Sequence, residues 1–151
     1  MNIASLLAKK GPNVVTIGPE QSVRDALKLL AHHNIGALVV VDGSTRPVGI
    51  LSERDVVRAA AKSESSVFGE TVRRLMTRNV IVGQPSDDLV SVGSTMTEKH
   101  IRHLPVVDAG RLIGIVSIGD VVKAQRDKYQ GEVDTLQIQL TEGQPQGRRA
   151  S

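Results

Sequence analysis

The sequence predicts an α/β (α+β) domain made of two tandem β-α-β-β-α repeats packed with pseudo-two-fold symmetry, and three observations predict it. IGALVVVD (35–42) lies over IRHLPVVD (101–108), sharing Ile, Leu, two valines and Asp. GILSERDVVR (49–58) lies over GIVSIGDVVK (114–123), sharing Gly, Ile, Ser, Asp and two valines. Upstream, Pro19 registers with Pro85, Val23 with Leu89 and Leu30 with Met96. The offset is about 65 residues and shortens by one between the two matched blocks, in a turn where a duplicated hairpin tolerates change.

Each element of the repeat has a local reason. Val14 to Ile17 is a short extended lead-in, ended by Gly18-Pro19. Ser22 caps a helix with Asp25 at its third position, and Val23, Ala26, Leu27 and Leu30 recur at helical spacing. The β-branched run Ala37 to Val41 reads as a strand buried on both faces. Asp42 to Arg46 is turn chemistry, and Pro47 to Leu51 is the returning strand. Ser52 caps a second helix to about Ala61, again with an acid, Asp55, three residues on. The second copy runs in parallel. It has an extended Val80 to Val82, a helix from about Asp87 to His100, strands Leu104 to Val107 and Leu112 to Val116, and a helix from Ile118.

The expected organisation is a lead-in helix over 1–13, repeat one over 14–61 and a connecting segment over 62–79 that ends in a short helix. Repeat two follows over 80–126, then a helical extension over 127–142, weakened by Gly131, and a disordered tail over 143–151. One unit is too small to cover both faces of its sheet, so two must share a core.

Composition narrows the function. With 151 residues and 40% hydrophobic side chains, the chain suits one globular domain. It has no cysteine, so disulfide and thiolate chemistry are excluded. No apolar run approaches the ~20 residues that span a bilayer, and the Lys9-Lys10 pair follows rather than precedes the short apolar stretch of MNIASLLAKKG. The expected location is therefore the cytoplasm. Net charge is only +3, the aromatics are Phe68 and Tyr129 alone, and Arg148-Arg149 is a short basic tail. The small charge and the scarcity of aromatics argue against nucleic acid as a partner, and only the tail and a pI of 9.5 speak for it.

The duplicated β-α-β-β-α order, with GILSERD and GIVSIGD closing the copies and RHLPVVD in the second, resembles the CBS domain family, over roughly residues 14–123. Two tandem copies form a Bateman module. The resemblance implies a stand-alone pair that binds an adenosine-containing ligand (AMP, ADP, ATP or NADH) in clefts between the copies. It also implies a homodimer, with no cofactor required, acting on a regulated protein.

It further implies site residues. In the stronger site Ser117 and Asp120 stand at a helix N-terminus, where free N–H groups favour an anion and the carboxylate can accept both ribose hydroxyls. Arg102 and His103 match cationic phosphate partners of relatives, next to Pro105 on the same strand. Ile115, with Val15 and Thr16 from the other copy, would clamp the adenine. A second site would use Val82, Gly36, Ala37, Ile50, Ser52, Arg54 and Asp55. It is expected to be weaker, because Gly36-Ala37 replace Arg102-His103 and Glu53 repels phosphate.

Plainer explanations compete with these assignments. Ser-x-x-Asp also occurs at Ser22/Asp25, where helix capping explains it fully. His32, His33, His100 and His103 lack a third ligand for a metal and read as solvated helix ends. No G-x-x-x-x-G-K-(S/T) loop, post-strand G-x-G-x-x-G or nucleophile elbow is present, so the expectation is a binding module rather than an enzyme. A structural or adaptor homodimer without ligand is the alternative. A nucleotide hydrolase using Asp120 and a histidine is a distant one.

Overall fold

Capping and β-branched runs place the elements. A computed structural model of the chain describes residues 1–11, 13–43, 45–63 and 65–142. The tail expected over 143–151 lies outside the described residues. Asn2 opens α1 (Ile3–Lys10), its side chain accepting the Ser5 N–H at 2.9 Å. Copy one follows as β1 (Thr16–Ile17), α2 (Val23–His33), β2 (Ala37–Val41), β3 (Pro47–Ser52) and α3 (Glu53–Lys62). After α4 (Val72–Leu75) comes copy two, with α5 (Leu89–Glu98), β4 (His103–Asp108), β5 (Arg111–Ser117) and α6 (Ile118–Glu142). Gly131 does not interrupt α6, where the side chain of Gln130 bonds that of Asp134 one turn on.

The two hairpins match in detail. β2 and β3 are antiparallel with Val39 opposite Ile50, and β4 and β5 are antiparallel with Pro105 opposite Ile115. Both registers shift at the same place, between Val40 and Val41 and between Val106 and Val107. In copy two the turn is tight, with Ala109 and Gly110 both at positive φ, as the twist of a short hairpin requires.

The lead-in strands differ. β1 pairs in parallel with β2, whereas copy two, expected to be extended over Val80 to Val82, keeps a single parallel bridge, Gly83 to Val106. Gly83 takes the place of Ile17, and a Cβ there would stand 2.7 Å from Leu104 Cδ2 and 2.9 Å from Ile3 Cδ1. The side chain missing from this position is thus replaced by Ile3 of α1.

That substitution reveals a crossover in the packing. α1 precedes copy one, yet its Ile3, Leu6 and Leu7 belong to the core of copy two, with Leu89, Met96, Leu104, Val106, Val116 and Val121. α4 precedes copy two, yet Val72 and Met76 belong to the core of copy one, with Ile17, Val23, Leu38, Val40 and Leu51. Each leading helix closes the open face of the other copy.

The crossover explains the glycine that opens each Gly-Ile-x-Ser motif. A Cβ at Gly114 would stand 2.8 Å from Leu7 Cδ2, and one at Gly49 would stand 2.5 Å from Met76 Sδ and 3.0 Å from the Thr77 carbonyl oxygen. Gly49→Ala is expected to cost about 1–2 kcal/mol in urea unfolding, as overpacking outweighs the small gain from a stiffer unfolded chain. An unchanged midpoint would mean that this glycine is not needed for the contact.

Candidate functional site

The chemistry starts where a half-buried strand turns into a helix. Ser117 ends β5, and its Oγ accepts the Asp120 N–H at 3.0 Å while its own N–H donates to Asp120 Oδ2 at 2.9 Å. Copy one repeats the reciprocal cap: the Asp55 N–H donates to Ser52 Oγ at 3.2 Å, and the Ser52 N–H donates to Asp55 Oδ2 at 2.9 Å. Capping is therefore satisfied in both copies. What sets them apart is Lys10. Its Nζ donates to Asp120 Oδ2 at 2.5 Å and to the Ile115 carbonyl oxygen at 2.7 Å.

Beside this pair lies a cleft of about 290 Å³ at the meeting of the two copies. Val14, Val15, Ile35, Ala37 and Ile115 make its apolar walls, and Lys10, Asn13, His103 and Ser117 supply its polar groups. Gly36 completes the lining, and a Cβ on it would stand 3.5 Å from the Glu53 carboxylate and 3.8 Å from the His103 ring.

Of the residues expected in the stronger site, Val15, His103, Ile115 and Ser117 line this cleft, while Asp120, paired with Lys10, lines the neighbouring hollow between α1 and α6. Thr16 is exposed on β1, Arg102 is exposed just before β4, and Pro105 is buried in the core. Gly36 and Ala37, expected in the second site, instead line the same cleft as His103, because β2 begins where it faces the start of β4. Of the rest of that second set, Ser52 and Asp55 cap α3, and Arg54 is exposed on its first turn. Ile50 exchanges two backbone bonds with Thr77 at 3.0 and 2.8 Å. Val82 stands apart from them, beside Ser86 and Leu104.

Lys10 and Asn13 were not expected in the site. Lys10 and Asp120 are 110 positions apart, and α1 packs on the copy it does not precede. The available signal was Leu6-Leu7 before one copy and Leu75-Met76 before the other, which marks both leading helices as packing elements.

Charge in the cleft is arranged unevenly. Burial lowers the His103 pKa from its ordinary 6.5, and the Lys10 and Arg102 charges lower it further against the opposing pull of Asp120 and Glu53. His103 is thus held neutral near pH 7 and is a poor cation. Burial alone would raise Asp120, but the Lys10 hydrogen bond, the Ser117 N–H, the Lys10 charge and the Ser117 hydroxyl hold it below its ordinary 3.8.

Both shifts act on stability in the same direction. Between the folded and unfolded values the unfolded chain binds more protons, so each contribution is complete above the unfolded value and is lost as pH falls through the folded one. Thermal melts are expected to drop first as pH falls below 6.5, from His103, and again below 3.8, from Asp120. His103→Asn should flatten the first drop. A variant with the wild-type profile would assign that drop elsewhere.

Among the described residues no helix is long and apolar enough to cross a membrane. The protein-family profile described as "CBS domain" matches residues 9–62 and again 72–127. Among solved structures, a CBS-domain protein of Agrobacterium tumefaciens is 42% identical, with a TM-score of 0.79 over 83% of this chain and 99% of that one. The CBSX2 structure in complex with AMP is 32% identical, with a TM-score of 0.70 over 85% of this chain and 98% of that one. The CBS domain pair of MJ0100, in complex with 5′-methylthioadenosine and S-adenosyl-L-methionine, is 29% identical, with a TM-score of 0.75 over 85% and 98%. Among curated proteins, the CBS domain-containing protein YhcV of Bacillus subtilis is 34% identical over 74% of this chain and 79% of its own length. With both copies matched in sequence and in fold, the chain belongs to the CBS domain family.

Proposed function

We propose that the chain is a cytoplasmic regulatory module without catalytic activity, whose cleft binds an adenosine-bearing ligand of the AMP, ADP, ATP or NADH class. The observation that carries this reading is the cleft itself, in which apolar walls from both copies, Val15 and Ile115, meet the Ser117–Asp120 start of α6. Such walls suit a purine face, and the Ser117 hydroxyl with the nearby Asp120 carboxylate suits the sugar hydroxyls. The adenosine ligands of CBSX2 and MJ0100 support it. Ligand that prefers one arrangement of the two copies shifts their packing, and a protein partner reads the shift. The exposed Tyr129, Leu136 and Leu140 of α6 support pairing with a second copy.

The test is a thermal-shift series with AMP, ADP, ATP, NADH, S-adenosylmethionine and GTP. A ligand at a hundred times its Kd should raise the melting temperature by about 5–10 °C for a domain of this size. Adenine ligands should do so and GTP should not. No shift at millimolar concentration would favour the adaptor reading, for which one observation already speaks: Lys10 satisfies Asp120 and the Ile115 carbonyl from within. Turnover of a nucleotide, lost in Asp120→Ala, would instead make the chain a hydrolase.

A further inference from the structure

The Lys10–Asp120 pair is a partition as well as a contact. On one side lies the cleft just described, which at about 290 Å³ stands at the bottom of the ~300–1,000 Å³ range of small-molecule sites. On the other side, between α1 and α6, lies a groove of about 360 Å³. Lys9, Lys10, Lys123 and Lys128 line that groove, against Asp120 and Asp127.

Four cations around one hollow repel each other and call for an anion. Asp120 is already held by Lys10, and Asp127 lies 4.0 Å from Arg126. Lys9, Lys123 and Lys128 form no ion pair among the described residues. Within the cleft the other basic side chain is His103, and Arg102 lies outside the lining. Positive charge is therefore concentrated beyond the partition, reached by way of Lys10.

Resting on the adenosine reading, we propose that the ligand is a nucleoside polyphosphate whose phosphate tail lies in the lysine-lined groove between α1 and α6, admitted when Lys10 lets go of Asp120. The ribose hydroxyls take the place of the Lys10 ammonium on the Asp120 carboxylate. The released ammonium stays tethered between the two hollows and meets the first phosphates, and Lys123 and Lys128 meet the outer ones. The groove thereby ranks ligands by phosphate number and disfavours a sulfonium, which brings a like charge.

Calorimetric titration of the full chain with adenosine, AMP and ATP, without divalent ions, tests this in the wild type and in Lys123→Gln/Lys128→Gln. Glutamine keeps the helix propensity of both positions. The wild type is expected to bind ATP at least about tenfold more tightly than AMP, one charge-assisted contact's worth, and the double variant to bring that ratio close to one. The preference should also shrink as salt is raised. AMP binding as tightly as ATP, or an ATP preference that survives the double substitution, overturns the groove and leaves the adenosine cleft standing. Absence of binding by adenosine and both nucleotides overturns the cleft as well.

Discussion

Asp120→Ala is expected to weaken adenosine binding by about ten- to a hundredfold, the equivalent of losing charge-assisted hydrogen bonds worth ~1.5–3 kcal/mol. The carboxylate is held for this role by the Ser117 N–H and Lys10, while the Asp120 N–H donates to Ser117 Oγ. For phosphate-bearing ligands the loss should be similar, because the ribose of each of these ligands displaces Lys10 from Asp120 in the wild type. Stability should fall by only about 1 kcal/mol. A cap is lost, but the ion pair, with side chains 27% and 26% exposed, is screened by solvent. Equal adenosine affinity in variant and wild type would remove Asp120 from the ribose role.

What the sequence made legible was whatever local chemistry decides. The caps at Ser22, Ser52 and Ser117 were readable because each satisfies backbone groups within three residues. The hairpins were readable because β-branched runs meet turn residues twice at one spacing. The site was only half legible. Ser117 and His103 follow from alignment with the family, but Lys10 follows from tertiary packing, which carries α1 past the copy it precedes. Gly36 and Ala37 show the same limit. Repeat symmetry assigned them to the other cleft, whereas the facing starts of β2 and β4 bring them beside His103. Local pattern determines the unit, and the contact between units determines the cleft.

The crossover of α1 is itself open to test through Ile3. This side chain is fully buried, fills the space left at Gly83, and joins Leu104, Val106 and Val116 in the core of copy two. Ile3→Ala should cost about 2–5 kcal/mol, the usual range for truncating a buried aliphatic side chain, out of a total that is ~5–15 kcal/mol for an ordinary domain. The loss should appear as a lower urea midpoint and as faster hydrogen exchange at the amides of β4 and β5, which α1 covers, more than at those of β2 and β3. α1 also carries Lys10, so the variant should loosen the hold on Asp120 and make stability less sensitive to acid below pH 4. A cost below about 0.5 kcal/mol, the level of an ordinary surface change, would mean that α1 does not close copy two. The position of Lys10 in the cleft would then lose its support. A full cost with exchange accelerated mainly in copy one would place the helix on the copy it precedes, and the pairing of each leading helix with the opposite repeat would fall with it.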